Sequence, residues 1–170
     1  HQRFLVYCIG MNLLEDAHYS APDIAAIVSH IEGFLDVAPY KGRLVSFYKR
    51  AQIFAADIHL AFGDRIKNIE QLTSFADNMV PHVLRCDGVL SYASELAEKI
   101  DSRIFIDAGS AEEVELRGAA VHVVELIKEE AQRQGRDVTS ANIDHIIWNR
   151  GYNAHEIYER PSHRTKTTFY

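Results

Sequence analysis

Apolar residues recur at the spacing of α-helices along most of the chain. Ile24, Ile27, Val28 and Ile31 predict a helix over residues 22–34. Similar patterns predict helices over 45–62, around 80–84, over 92–100, over 111–134 and from Thr139 or Ser140 onward. The fold class is therefore all-α, a compact helical domain with at most a short β element, for which residues 104–106 are the candidate.

The helix predicted over residues 45–62 is apolar on two sides. One face carries Phe47, Ala51, Phe54, Ala55, Ile58 and Phe62, and the opposite strip carries Ile53, Ala56 and Leu60. A helix of this kind is typical of the centre of a domain, so we expect burial on both sides. Lys49 falls in the second strip. It must reach water, pair with a carboxylate or lose its proton, and the pattern alone leaves a snorkelling and a functional lysine both open.

Asp77 also has two interpretations. Ser74 to Asp77 fits a capping box, in which Ser74 is the N-cap and Asp77 is the third helical residue. Alternatively, a carboxylate fixed at a helix N-terminus is a candidate for acid–base chemistry or for stabilising a cation. The sequence alone does not show that Asp77 and Lys49 meet.

Three further candidates lie on the predicted helices in the last third of the chain. Arg117 falls at the edge of the apolar face of the 111–134 helix, where it can pair with a buried carboxylate or bind a substrate anion. We expect that Glu115 or Arg117 faces the site or braces a residue in it. Trp148 is interpreted mainly as a core residue.

Composition narrows the classes of function. The 170 residues are 47% hydrophobic and 25% charged, which excludes a largely disordered chain, and no apolar run could span a membrane. The formal net charge of −6 argues against a general nucleic-acid binder. Cys8 and Cys86 have no metal or redox spacing and are predicted to be reduced structural thiols. No motif predicts a metal site or a cofactor.

Four blocks of sequence resemble the queuosine salvage protein family. They are residues 42–53 (GRLVSFYKRAQI), 73–77 (TSFAD) with Pro81, 113–118 (EVELRG), and Ile146-Ile147-Trp148 before a closing Phe169-Tyr170. They occur in the order that the family has them. Asn78 and His82 stand where the family usually has an aromatic residue and a glutamine, and His59 where it commonly has a tryptophan.

The resemblance implies both a function and a site. Members hydrolyse queuosine 5′-phosphate and release the base queuine for reuse in tRNA, on a helical fold similar to helical DNA glycosylases. The resemblance makes Lys49 and Asp77 the catalytic pair. It makes Tyr48, Phe75, Asn78, Glu115, Arg117 and Trp148 candidates for substrate binding. It also implies a cytoplasmic enzyme that takes a small nucleotide and needs no cofactor, no metal, no direct nucleic acid and no membrane.

We expect residues 1–170 to form a single helical domain, the C-terminal part of a longer queuosine salvage protein. Two other functions stay open from the sequence. One is a nucleic-acid-binding module like a DNA glycosylase, because the segment from Val80 past Asp87-Gly88 to Ser91 resembles a helix–hairpin–helix. The other is a non-catalytic interaction domain that keeps the fold.

Overall fold

The computed structural model describes residues 10, 12–153 and 160–170, and these residues are mostly helical. Residues 12–16 are helical. The helices that lie wholly within the described residues are α1 (Ala21–Val28), α2 (Lys49–Phe62), α3 (Met79–Cys86), α4 (Ser94–Asp101), α5 (Ala111–Arg133) and α6 (Ser140–Asn153). Two short 3₁₀ turns, Gly63–Arg65 and Ile69–Gln71, follow α2, and strands β1 (Val37–Tyr40) and β2 (Arg43–Ser46) form one antiparallel hairpin. The prediction of a mostly helical fold with a short β element is confirmed.

The hairpin replaces the first turn of the helix that was predicted to begin at residue 45. Val37 pairs with Ser46 and Tyr40 with Arg43, so Lys41 and Gly42 form a two-residue loop. Both loop residues have positive φ, 47° and 77°, as a type I′ turn requires. The candidate at residues 104–106 forms no strand, but Phe105 makes an isolated β-bridge to Arg164.

Helix α2 is buried on one side only. Ala51 and Ala55 are fully buried, whereas Leu60 is 80% exposed and Phe62 is 40% exposed. The prediction that this helix is buried on both sides was therefore wrong. Its first face packs against α1, and its second apolar strip lines a cavity instead of a core.

Other helix boundaries also differ from the predictions. Helix α1 ends at Val28 rather than near residue 34, and α4 begins at Ser94 rather than directly after Ser91. Helix α5 begins as predicted, because the Ser110 hydroxyl accepts a hydrogen bond from the amide of Glu113. Of the two cysteines, Cys86 is a free thiol and Cys8 lies outside the described residues.

Two main clusters of buried apolar side chains support the fold. The first joins α1, α2 and the segments around them, and consists of Leu14, Ala17, Ala21, Ile24, Ala25, Val28, Ala51, Ala55, Ile66 and Leu72. The second joins α3, α5 and α6, and consists of Val80, Val83, Leu84, Ala120, Val124, Ile143 and Ile147. None of the helices in the described part of the chain is long and apolar enough to cross a membrane.

Candidate active site

A cavity of about 690 Å³ lies where α2 of the first cluster faces α6 of the second. Most of its wall is apolar, and charged side chains enter it from three segments of the chain. The lining residues are Lys49, Ile53, Ala56, Asp57, His59, Leu60, Ile69, Phe75, Asp77, Thr139, Ala141, Asn142, Asp144, His145, Ile146 and Trp148. A pocket of this size and character is large enough for a nucleotide-sized ligand.

Asp77 lies in this cavity and also caps α3. Its Oδ1 atom accepts hydrogen bonds from the amides of Met79 (2.9 Å) and Val80 (3.0 Å), which are at the start of that helix. The capping box was wrong in its details, because α3 begins at Met79 and Ser74 does not cap it. Asp77 caps with one oxygen only. Within the described residues Oδ2 has no hydrogen-bond partner, so this oxygen is available to a ligand.

The pKa of Asp77 reflects opposing effects. Burial raises it, because only 3% of the residue is exposed and a carboxylate loses hydration there. The Val80 amide and the positive charge of Lys49 act in the opposite direction. Lys49 therefore favours the ionised form of Asp77 even though the two side chains are not in direct contact as an ion pair.

Lys49 is the first residue of α2 and lines the same cavity. Its amide donates to Oδ2 of Asp36 at 3.1 Å. Tyr48 just before it has a left-handed backbone (φ 49°, ψ 36°), which costs a non-glycine residue about 1–2 kcal/mol. Within the described ranges, Nζ of Lys49 has no carboxylate within 4.0 Å. The ammonium group thus lines the cavity without a salt bridge.

Asp144 is the main site residue that the sequence reasoning missed. It lies on α6, is 4% exposed, and accepts hydrogen bonds through Oδ2 from the Ser74 hydroxyl (2.6 Å) and the Phe75 amide (2.9 Å). Its pKa is raised to about 6, because burial and the nearby negative charge of Asp77 together outweigh the hydrogen bonds from Ser74 and Phe75, which act in the opposite direction. A signal for it was present: Asp144 lies between Ile143 and Ile147 on the helix face that packs inward.

Two aromatic rings complete the cavity. Phe75 lies beside Asp77 and Asp144, and Trp148 lies one turn after Asp144 on α6. The Trp148 ring stacks on Tyr152 with centroids 5.1 Å apart and planes within 10° of parallel. Interpreting Trp148 mainly as a core residue was therefore wrong, because it is half-buried and its ring lines the cavity.

Four of the other predicted site residues do not line the cavity. Tyr48 packs against the first apolar cluster, and the Asn78 amide group donates to the carbonyl of His163. Glu115 is on the surface, where it accepts hydrogen bonds from Tyr40 and Lys41. The structure thus brings together Lys49, Phe75, Asp77 and Trp148, and it separates the others from them.

Arg117, the fourth, is buried behind the cavity. Only 2% of it is exposed, and its guanidinium binds Asp36, Glu113 and the carbonyl of Ala76, the residue before Asp77. This is the bracing position that we expected for either Glu115 or Arg117. A direct contact of Arg117 with substrate stays a prediction.

The cavity combines two buried carboxyl groups with raised pKa, those of Asp77 and Asp144, with the Lys49 cation and two aromatic side chains. Such a set can hold a flat polar base, stabilise a developing positive charge and deliver a proton. In the part of the chain that the structure describes, no three His, Cys, Asp or Glu side chains are grouped closely enough to hold a metal ion.

Comparison with known proteins assigns the family. The family described as queuosine salvage protein matches residues 7–170. A queuosine 5′-phosphate N-glycosylase/hydrolase from Dictyostelium discoideum is 39% identical over 85% of this chain and 46% of its own length. Proteins with the same description from Sphaerobacter thermophilus (38% identical, 89% and 48%) and Bos taurus (31%, 94% and 51%) are also similar. The chain spans about half the length of these relatives, and it belongs to the queuosine salvage protein family.

Proposed function

We propose that this chain forms the catalytic cavity, or a large part of it, of an enzyme that hydrolyses queuosine 5′-phosphate to queuine and ribose 5-phosphate. The observation that carries the proposal is the meeting of Lys49, Asp77 and Asp144 in one cavity with Phe75 and Trp148. The relatives described as queuosine 5′-phosphate N-glycosylase/hydrolase support it, since they match 85–94% of this chain.

The proposed chemistry follows from the groups in the cavity. The bond between C1′ of the ribose and the ring nitrogen of the base breaks, and its electron pair leaves with the base. The sugar then carries positive charge, which the carboxylate of Asp77 stabilises. Water attacks C1′ and loses a proton, for which Asp77 is the acceptor in reach.

The base is a poor leaving group unless it is protonated. Asp144 meets this need, because its raised pKa of about 6 keeps a fraction of it protonated near neutral pH, and a neutral carboxyl group can donate. The positive charge of Lys49 favours the ionised form of Asp77, and its ammonium group, which has no salt bridge, is available to the sugar or phosphate. Phe75 and Trp148 offer ring faces to the base.

The proposal has wider parts that rest on the resemblance. We include in it a fold similar to helical DNA glycosylases, a cytoplasmic location, and a free nucleotide rather than tRNA as substrate. We also include that residues 1–170 form one domain of a longer protein. The net charge of −6 supports the choice of a small nucleotide over a nucleic acid.

The test uses the fact that Trp148 is the single tryptophan of the chain. Its fluorescence is titrated with queuosine 5′-phosphate, with guanosine 5′-monophosphate as the control nucleotide, and free queuine is detected by mass spectrometry. We expect selective quenching and release of queuine. Quenching without release of queuine would favour a non-catalytic binding module. The absence of both quenching and release would refute the proposal. A Trp148→Phe variant, which has no tryptophan, reports the background of the titration.

A further inference from the structure

The guanidinium of Arg117 is enclosed on every side. Its central carbon lies over two aromatic rings, 4.1 Å from the centroid of Phe47 and 5.0 Å from that of Tyr170. It donates to both carboxylate oxygens of Asp36, at 3.0 and 2.5 Å, and to Oε1 of Glu113 at 3.2 Å. A planar cation with fixed donors holds such neighbours at defined angles, which a lysine cannot do.

One arm of this arrangement reaches Lys49. Oδ2 of Asp36 accepts from the amide of Lys49 at 3.1 Å as well as from Arg117. The carbonyl of Asp36 accepts from the amide of Phe47 at 2.9 Å and from that of Tyr48 at 3.3 Å. Asp36 therefore binds three successive amides, at the point where the left-handed Tyr48 turns the chain into α2.

A second arm reaches Asp77. Nε of Arg117 donates to the carbonyl of Ala76 at 2.9 Å, directly before Asp77 in the chain. Asp77 is in turn held by the first amides of α3. One buried side chain thus fixes the backbone on both sides of the cavity, next to its cation and next to its carboxylate.

We propose that Asp36 and Arg117 are positioning residues, which set the separation between Lys49 and Asp77 through their backbones. This inference rests on the proposed function for its meaning in catalysis. Neither residue lines the cavity, so the proposed effect needs no contact of either side chain with substrate. Their effect on the reaction is indirect, because they align Lys49 and Asp77, which do line the cavity.

The chain offers a matched control for a purely structural role. The side chain of Arg85 is 5% exposed, donates to both oxygens of Asp101 at 2.8 Å, and lies 4.9 Å from the ring centroid of Tyr92. It has the same kind of partners as Arg117 but does not line the cavity. The side chain of Asp101 is 46% exposed, so Arg85→Lys removes a two-bond Arg–Asp pair of the same kind in a more exposed place, and it leaves the contacts of Asp36 and Arg117 unchanged.

The experiment compares Arg117→Lys with Arg85→Lys in three measurements: single-turnover release of queuine, nucleotide affinity by Trp148 fluorescence, and melting temperature. We expect Arg117→Lys to lose about 100-fold in turnover, because misplacement of about 1 Å has costs of that order. Its affinity should change only a few-fold. Arg85→Lys should lower the melting temperature and leave turnover near that of the wild type.

A fourth measurement needs no substrate. Hydrogen exchange at the Lys49 amide should become faster in Arg117→Lys and in Asp36→Asn, and stay unchanged in Arg85→Lys. Asp36→Asn serves if Arg117→Lys does not fold, and we expect it to lose about tenfold in turnover. A folded variant that keeps wild-type turnover and slow Lys49 exchange would overturn the inference. A wild-type protein that releases no queuine would contradict the proposed function instead. The hydrogen-exchange data would still test whether Asp36 and Arg117 hold the backbone at Lys49.

Discussion

Replacing Asp77 by Asn separates the two roles that this residue has in the structure. The two amides of α3 bind Oδ1, and the carbonyl oxygen of an asparagine can accept the same two bonds. The negative charge, by contrast, is lost. If that charge stabilises a sugar cation in a cavity with little water, its loss costs about 3–4 kcal/mol in the transition state, or about 10²–10³-fold in rate.

The melting temperature of Asp77→Asn should change much less than its turnover. The favourable interaction of a carboxylate with a helix N-terminus is worth about 0.3–1 kcal/mol, and its loss is offset because a buried charge is removed. Asp77→Asn should therefore melt close to the wild type. Asp77→Ala loses the cap as well, which costs about 1 kcal/mol, or about 2–4 °C in a domain of this size.

The assay is single-turnover release of queuine with enzyme in excess, so that product release does not limit the rate. Affinity from Trp148 fluorescence is measured in parallel, because loss of a charge that acts in the transition state should change turnover more than binding. A folded Asp77→Asn protein with turnover near that of the wild type would refute the mechanism. Asp77 would then be a helix cap and no more.

Four other variants test the site and the packing around it. Lys49→Met should lower turnover by about 100-fold and change the melting temperature little, because its ammonium has no ion pair to lose. Asp144 binds its proton more tightly when folded (pKa about 6) than unfolded (3.8), so its contribution to stability, about 3 kcal/mol, is lost as pH rises from about 4 to 6. The free energy of unfolding of Asp144→Asn, measured relative to the wild type by urea titration, should thus be more favourable at pH 7.5 than at pH 4.5. The same difference at both pH values would contradict this. Gly151→Ala should lower the free energy of unfolding by about 1–3 kcal/mol, because an added Cβ would lie 2.3 Å from Sδ of Met79. Gly118→Ala, which has open space around the added Cβ, should raise it by about 0.5–1 kcal/mol. Denaturant midpoints that shift in the same direction for both variants would contradict the packing described above.

Helical periodicity predicted most of the fold because apolar faces determine helix packing. It failed at Arg43–Ser46, where four residues are too few to distinguish a strand from the first turn of a helix. The signal for the hairpin was Gly42, which a type I′ turn favours. The second apolar strip of α2 led to the wrong prediction that this side is buried in the core. Periodicity shows that a helix face is apolar, but it does not distinguish a core from the wall of a cavity.

The site was predictable where residues belong to long motifs and hidden where they act through tertiary contacts. Lys49 and Asp77 lie in blocks that resemble the family, and the cavity brings them together. Asp36 lies outside those blocks, and its partner Arg117 is 81 positions further along the chain. No local pattern shows such a pairing, because it exists only after the helices have packed.

The two apolar clusters occupy successive parts of the chain, the first within residues 14–72 and the second within residues 80–147. We expect each part to collapse before the two dock, since contacts within a part close shorter loops than contacts between the parts. The cavity takes Lys49 from the first part and Asp144 from the second, so it exists only after the two have docked. During refolding, the helical signal should return early and the capacity to bind nucleotide last.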